Sequence, residues 1–573
     1  MPSNLTFRIA GEGGEGVIST GELLTTAIAR TRRDVFTFRS YPAEIKGGPA
    51  MFQVRCADHP VLSVGDKLDV LIAFNEEAVD LHAEDLKSDG ILIYDSSIFD
   101  PEKKVRAGTQ LIGAPLTAIA TEGVGLKKSK NMVALSLIAQ MIGVPLDGII
   151  ALVQEKFGKK GSEIIDKNLK AVEEGYRWAE SHPFDKDLKV PVSERKDKKL
   201  VMSGNEAMSA GAIAAGCRYY AGYPITPASD ILSFMEKSLP KFGGVAIQTE
   251  DEISAIASCV GASFAGASVL TATSGPGLSL MAEILGLASM TETPIVIVDA
   301  QRSGPSTGMP TKTEQSDLSY AVHMGHGDAP RVVMAPSNVK DCFYGMIKAY
   351  YIAEKYQIPV IMLSDQSLSH RTQTFTRPQI ENLQLPSRLK ASKNGHFKRF
   401  LDTENGVSPV AFPGEEGLNY VTTGLEHDEQ GHPSWDISNH ERMSAKRHRK
   451  LDFISREKGF THRMGDEHAT IGIICWGSTE GPVEEAINDA ARHGIEVKAL
   501  TIKMIHPLPD EEIRGFLAGL KHVIVPEINY TGQLCQILRA KYLFPFQSFI
   551  KCGGVPFTPK EILNRIEEVK RRA

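Results

Sequence analysis

Cysteine is scarce and scattered. The seven cysteines stand at 56, 217, 259, 342, 475, 535 and 552, and no two are closer than seventeen residues. No CxxC pair exists, so neighbouring thiols offer no local ligand set for zinc or an iron–sulfur cluster. An odd, sparse set fits reduced, mostly buried thiols in a reducing compartment. An excess of basic charge is also lacking. The 64 Lys and Arg are outnumbered by 70 Asp and Glu, a net charge of −6, which gives neither a field for nucleic acid nor a polybasic membrane patch. No apolar run approaches the ~18–20 residues of a membrane span. The opening residues, MPSNLTFRIAGEGGEG, lack a basic region followed by an apolar one. A cytoplasmic location is therefore expected.

What is present is a long α/β pattern. At about 150 residues per domain, 573 residues suggest three or four domains. The polar, charged stretch 181–200 holds two prolines and reads as a linker. Residues 376–465 are irregular and, at the end, dense in His, Glu and Arg. That is too long for an ordinary connection and reads as an arm packed on its neighbours. The remaining blocks are 1–180, 201–375 and 466–573. Each alternates buried-strand runs with helical patterns: LTFRIAG, LDVLIAF and GILIYD in the first, SVLTATS, TPIVIVDA and IPVIMLSD in the second, ATIGIICWGS, IEVKALTI and HVIVPEIN in the third. The expectation is several doubly wound domains with parallel sheets. GPGLSLMAEILGLASM, between two of these strands, reads as one helix.

Gly11, Gly13 and Gly16 match G-x-G-x-x-G after a strand and before a helix from Val17 to Ala29. Such a turn can aim backbone amides at an anion. A dinucleotide would also need an acid at the end of the next strand. Asp34 has the spacing, but it precedes the strand VFTFRSY and is crowded by Arg30, Arg32 and Arg33. Dinucleotide binding, another phosphate-bearing ligand and a plain tight turn all remain open. In SYPAEIKGGPAMFQVR, Lys46 stands beside Gly47 and Gly48. It is either a phosphate contact or part of a surface hairpin.

The second block is more specific. Tyr223-Pro224-Ile225-Thr226-Pro227 follows a strand, and its two prolines stiffen the turn and deny helix to the pair between them. The Thr226 hydroxyl is then held at the C-terminal edge of a sheet, where α/β ligand sites lie. A rigid turn is the plain alternative. Glu250, Asp251 and Glu252 open a helix of small and apolar residues. Acids there suit the helix dipole. One at the mouth of a buried helix could also share a proton with a ring nitrogen.

On GEGGEGVISTGELL, SYPAEIKGGPA, AGYPITPASDI, EDEISAI, TATSGPGLSLMAE, VDAQRSGPSTGMPT, TGLEHDEQGHPS and HPLPDEEI, in this order, the chain resembles the fused γ–α subunit of the 2-oxoacid:ferredoxin oxidoreductases. The resemblance implies a Rossmann-like γ domain, a pyrimidine-binding domain for thiamine diphosphate, and a transketolase C-terminal-like domain. It implies that Glu252 meets N1′ of the aminopyrimidine, that Tyr223, Pro224, Ile225 and Thr226 border the cofactor, and that Thr226 hydrogen-bonds the 2-oxoacid. Arg302 would hold its carboxylate; for an arginine after a strand, a surface ion pair is the alternative. Lys46, Gly47 and Gly48, and second the turn Gly11–Gly16, would meet coenzyme A.

The family's Mg²⁺–diphosphate motif, GDG followed by Asn, is missing, and Gly327-Asp328-Ala329 is the nearest approach. The resemblance places that motif and a [4Fe-4S] cluster on a β partner, with ferredoxin as acceptor and an (αβ)₂ heterotetramer as assembly. Oxidative decarboxylation of 2-oxoglutarate to succinyl-CoA, or its reversal, is the expected reaction, with pyruvate or branched-chain acids as alternatives. A non-redox thiamine enzyme would need its own GDG. A nucleotide-binding scaffold would leave Thr226, Glu252 and Arg302 unexplained. The spacing of His427, His432, His440 and His448 does not place ligands on one helical face, and no metal is expected on this chain.

Overall fold

A short connection decides the first sheet. Strands Asp34–Ser40 and Pro49–Ala57 are joined by only eight residues, 41–48, too few for a parallel crossover. They therefore pair antiparallel, Asp34 against Ala57 through Ser40 against Met51. The fold was obtained as a computed structural model, which describes residues 3–42, 47–158, 161–184, 186–194, 197–381, 383, 387–393 and 397–572. The chain divides into two compact units, Met1–Met202 with Arg371–Arg377, and Ser203–His370 with Pro378–Ala573.

In the first unit eight strands run in the order Gln110–Ala114, Leu86–Asp95, Leu68–Ala73, Asn4–Glu12, Pro49–Ala57, Asp34–Ser40, Thr372–Thr376 and Lys199–Ser203. The four beginning with Gln110–Ala114 are mutually parallel. Pro49–Ala57 is antiparallel to both its neighbours. The sheet is thus mixed, which corrects the expectation of an all-parallel one. Strand Thr372–Thr376 pairs with Asp34–Ser40, so the chain returns to this unit after residue 370. Helices Val17–Arg30, Lys130–Met141, Leu146–Phe157 and Ser162–Ser181 bury Leu24, Ile28, Leu135, Ile138 and Val172 with Phe7, Ile9 and Phe52 of the sheet.

The second unit holds two sheets. One runs Met504–His506, Val332–Met334, Pro359–Asp365, Ile295–Gln301, Val269–Thr273, Tyr219–Gly222, Val245–Gln248. It is parallel apart from Met504–His506. The other runs Thr461–Gly465, Val497–Ile502, Ile471–Cys475, His522–Glu527, Phe546–Ile550, with only the first strand antiparallel. The stretch 275–290 is two helices, Gly275–Leu280 and Ala282–Met290, separated at Met281. The arm contains the helix Ile437–Ile454, which pattern reading did not find.

Candidate active site

Parallel strands that end together build one rim. Tyr219–Gly222 runs into the turn 223–227, Val245–Gln248 into helix Glu252–Phe264, Val269–Thr273 into helix Gly275–Leu280, and Ile295–Gln301 into Arg302. Ligands of α/β sheets gather at such C-terminal edges. The turn is fastened from both sides. Ser229 N donates to Ile225 O at 3.0 Å, and Asn205 Nδ2 donates to Pro227 O at 2.8 Å. Asn205 itself is placed by the helix Gly204–Ala214, whose start is closed by a capping box of Ser203 and Glu206.

Two of the residues singled out in the sequence meet directly. Arg302 Nη1 donates to Thr226 O at 2.7 Å. Arg302 is buried, with 7 % exposure, and among the described residues its Nε has no partner. It is not a surface ion pair. Burial lowers its pKa, and Asp317 and Asp299 pull it back up. Tyr223 and Pro224 are exposed, while Ile225 and Thr226 are half-buried.

The three acids of 250–252 divide by role. Asp251 is the helix cap, its carboxylate accepting from Ser254 N at 2.7 Å. Glu250 is exposed and accepts from Ser254 Oγ at 3.3 Å. Glu252 is buried, and among the described residues its carboxylate has no hydrogen-bond or ion-pair partner. It lies against the helix Gly275–Leu280. A methyl group on Gly277 would collide with Thr273 Oγ1 and stand 2.5 Å from Glu252 Oε1. Glycine at 277 thus permits the close packing of this helix on Thr273 and Glu252. Gly277→Ala is expected to lower the melting temperature, because the added methyl overpacks Thr273 and Glu252.

In the first unit the two glycine-rich segments are joined. Gly13 N donates to Gly48 O at 2.8 Å, and Gly47 N donates to Gly13 O at 3.2 Å. A Cβ on Gly13 would lie 2.6 Å from Gly47 O, so only glycine permits the approach. Lys46 lies outside the described residues. The turn is partly filled by its own acid: Glu15 Oε2 accepts from Glu12 N at 2.9 Å, and Glu15 Oε1 from Lys130 Nζ at 2.9 Å. Asp34 is buried at the start of its strand and accepts from Lys199 at 2.5 Å and Thr374 at 2.6 Å. It is not free for a ribose, which removes the acid that dinucleotide binding needs.

Known proteins point the same way. Residues 210–446 match the family model described as pyruvate flavodoxin/ferredoxin oxidoreductase, thiamine diphosphate-binding. Residues 6–178 match pyruvate ferredoxin/flavodoxin oxidoreductase, and residues 469–562 match pyruvate:ferredoxin oxidoreductase core domain II. The 2-oxoglutarate oxidoreductase subunit KorA of Mycobacterium tuberculosis is 35% identical, over 98% of this chain and 90% of that one. The chain belongs to the 2-oxoacid:ferredoxin oxidoreductase family. The alpha subunit of a 2-oxoacid:ferredoxin oxidoreductase of Aeropyrum pernix is 30% identical over 99% of this chain and 98% of that one. A solved structure of 2-oxoglutarate:ferredoxin oxidoreductase from Magnetococcus marinus, with 2-oxoglutarate, coenzyme A and succinyl-CoA bound, superposes with a TM-score of 0.94. It is 41% identical and covers 99% of this chain and 100% of that one.

For a 2-oxoacid:ferredoxin oxidoreductase the rim fits thiamine diphosphate in one testable respect: a buried carboxylate that, among the described residues, has no partner. Pattern reading missed two further acids there. Asp299 is fully buried in the strand Ile295–Gln301, and among the described residues neither of its oxygens has a donor. Asp317 N donates at 3.0 Å to Gln301 Oε1, two residues along the same strand from Asp299. An acid inside an apolar strand was the one available signal. The histidines of the arm are engaged locally: His440 Nδ1 with Glu426 at 2.6 Å, His427 Nδ1 with Leu425 O and His448 Nδ1 with Ser444 O, both at 3.0 Å. Among the described residues no helix is long and apolar enough to cross a membrane.

Proposed function

We propose that this chain, joined to a β partner, oxidatively decarboxylates 2-oxoglutarate with coenzyme A to succinyl-CoA and CO₂. Two electrons leave singly to ferredoxin, and the reverse direction is open to the same groups. The carrying observation is the buried Arg302 bonded to the Thr226 carbonyl on the rim that also holds Glu252. Thiamine diphosphate, when bound, supplies the electron sink for loss of CO₂. Glu252 holds a proton in common with the pyrimidine N1′. Arg302 takes the 2-oxoacid carboxylate on its fixed guanidinium fork, and the Thr226 hydroxyl positions the oxo group beside it. Tyr223, Pro224 and Ile225 wall the same space.

The partner supplies Mg²⁺–diphosphate binding and a [4Fe-4S] cluster in an (αβ)₂ assembly. Exposed apolar side chains support it: Ile253, Val245, Leu280 and Met309 are each about half exposed, at 46%, 53%, 50% and 46%. Helix Glu252–Phe264 is therefore not buried all round within this chain, as its composition suggested: Ile253, Ala257, Gly261 and Ala265 form an exposed stripe. For coenzyme A, the joined segments Gly11, Gly13, Gly16 and Lys46, Gly47, Gly48 are the proposed phosphate contact.

The test is coenzyme A-dependent viologen reduction by the assembled complex with 2-oxoglutarate, pyruvate and a branched-chain oxoacid. Turnover with 2-oxoglutarate foremost is the expected result, and turnover confined to pyruvate would reassign the substrate. In the same assay Arg302→Lys should raise KM about 10–100-fold for every 2-oxoacid, the worth of a charge-assisted bond. A loss confined to 2-oxoglutarate would move Arg302 to the distal carboxylate.

A further inference from the structure

Asp299 and Asp317 have no part in the reaction as described above. They belong to different segments, the strand Ile295–Gln301 and the residue before helix Leu318–His323. The loop between them carries Arg302 and is tied down at several points. Gln301 Nε2 donates to Ser364 O at 2.9 Å, while its Oε1 accepts from Asp317 N. Gln315 Nε2 donates to Trp476 O at 3.2 Å, and Gln315 N donates to Ile528 O at 2.6 Å. Asp317 is pressed on the turn before helix Gly275–Leu280, where a Cβ on Gly275 would lie 2.7 Å from its Oδ2. The fold thus fixes the segment that carries Asp317 against the end of the strand that carries Asp299.

Two neighbouring carboxyls whose buried oxygens meet no protein donor are not both charged. Both oxygens of Asp299 and the Oδ2 of Asp317 lack a protein donor, and a single proton between the carboxyls supplies one. We infer that Asp299 and Asp317 share a proton beside Arg302, and that the charge of this pair sets how tightly Arg302 holds the substrate carboxylate. They are positioning residues. The inference rests on Arg302 being the carboxylate-binding residue.

The other charges nearby are few. Glu314 bears on Asp317. Asp365 ends the neighbouring strand opposite Gln301, its Oδ1 taken by Leu368 N at 2.9 Å. Glu252 enters against Thr273 and Gly277. The strand Val269–Thr273 and the helix Gly275–Leu280 bring no charge. Burial, with Asp317 next to it, pushes Asp299 well above the usual carboxylate range. Burial pushes Asp317 up to about 6, against the pull of Arg302. With two protons the pair is neutral and the charge of Arg302 is unopposed. With one proton the pair carries −1 and competes with the substrate. The KM of the 2-oxoacid should therefore rise with pH above about 6.

The experiment measures KM and kcat for 2-oxoglutarate from pH 5.5 to 8.5 in the assembled complex. In the wild type KM is expected to rise about three- to tenfold from pH 6 to 8, one pKa unit being a factor of ten, with kcat sharing none of that change. In Asp299→Asn the amide donates to Asp317, which stays charged, so KM is flat at its high-pH value. In Asp299→Asn with Asp317→Asn KM is flat at its low-pH value. A wild-type slope that persists in both variants would overturn the inference. So would a flat wild-type profile. Arg302→Lys separates the levels: an unchanged KM there removes the reading of Arg302 itself, whereas a raised KM with the wild-type slope intact in Asp299→Asn removes only the shared proton. Infrared spectra need no activity. At pH 7 the wild type should show a protonated-carboxyl C=O band that Asp299→Asn and Asp317→Asn each lack. A band unchanged in both would sink the pair on its own.

Discussion

Glu252→Gln in the assembled complex should lower kcat by about 10²–10⁴-fold, the range for loss of a positioned proton-transfer group. Glutamine keeps the shape and can still meet a ring nitrogen, but it cannot exchange a proton with it. The variant should fold as the wild type does. Among the described residues the Glu252 carboxylate has no hydrogen bond to lose, and the helix start is held by Asp251 and not by Glu252. Turnover and melting temperature measured on the same preparation separate chemistry from folding. Glu250→Gln is the matched control, since Glu250 is exposed and, among the described residues, bonded only to Ser254. Its turnover should stay within about twofold, because surface substitutions cost little. Unchanged turnover in Glu252→Gln would remove the proposed role, and equal losses in both variants would shift it to the helix mouth as a whole.

These acids were legible because their setting is local. Three carboxylates before a small-residue helix, and two prolines around Ile225-Thr226, are visible within a few residues of sequence. The strands were legible for the same reason: LDVLIAF and IPVIMLSD are continuous apolar runs, and the observed strands are Leu68–Ala73 and Pro359–Asp365. What could not be read depends on distant partners. Asp299 and Asp317 are eighteen positions apart and meet only because the loop between them folds back onto Ser364, Trp476 and Ile528. Strand Thr372–Thr376 joins the first sheet through Phe36, a pairing over more than three hundred residues. The helix Ile437–Ile454 was missed for a more instructive reason. Its inward stripe is Met443, Lys446, Arg447, Lys450 and Ile454, all buried. The spacing is helical, but the residues that mark it are mostly cationic, so hydrophobic periodicity passes it by.

That stripe carries the second large effect, in Glu292→Gln. Glu292 is buried at a left-handed position, φ 51°. Its Oε1 is 2.5 Å from Lys446 Nζ and its Oε2 is 2.6 Å from Lys450 Nζ. Its backbone carbonyl accepts from Arg399 at 2.9 Å. One carboxylate thus balances a cluster of buried cations on the arm. Removing its charge leaves them uncompensated, which costs about 3–5 kcal/mol. A marked fall in melting temperature is expected, with early proteolysis between residues 437 and 454. Breaking the exposed pair Lys458–Glu511 should cost no more than about 1 kcal/mol. The sign with pH follows from Glu292. Burial alone would raise its pKa, but Lys446, Lys450 and Arg399 hold it well below the usual range. Its contribution is therefore full above about 4.5, the unfolded value, and is lost as pH falls below that. The wild type should lose stability on acidification in that window, and Glu292→Gln should lack this part of the acid limb. Lys450 has the same sign in a higher window: burial lowers it to about 8, with Glu292 opposing, so between about 8 and 10.5 the unfolded chain binds more protons and this group too favours folding as pH rises. Replacing Glu292, Lys446 and Lys450 together by apolar residues of similar size should recover part of the loss, because these three charges then leave as a set while Arg399 keeps its bond to the backbone carbonyl of residue 292. A triple variant no better than Glu292→Gln would mean that the φ of 51° at residue 292 holds the arm, and that the charges do not.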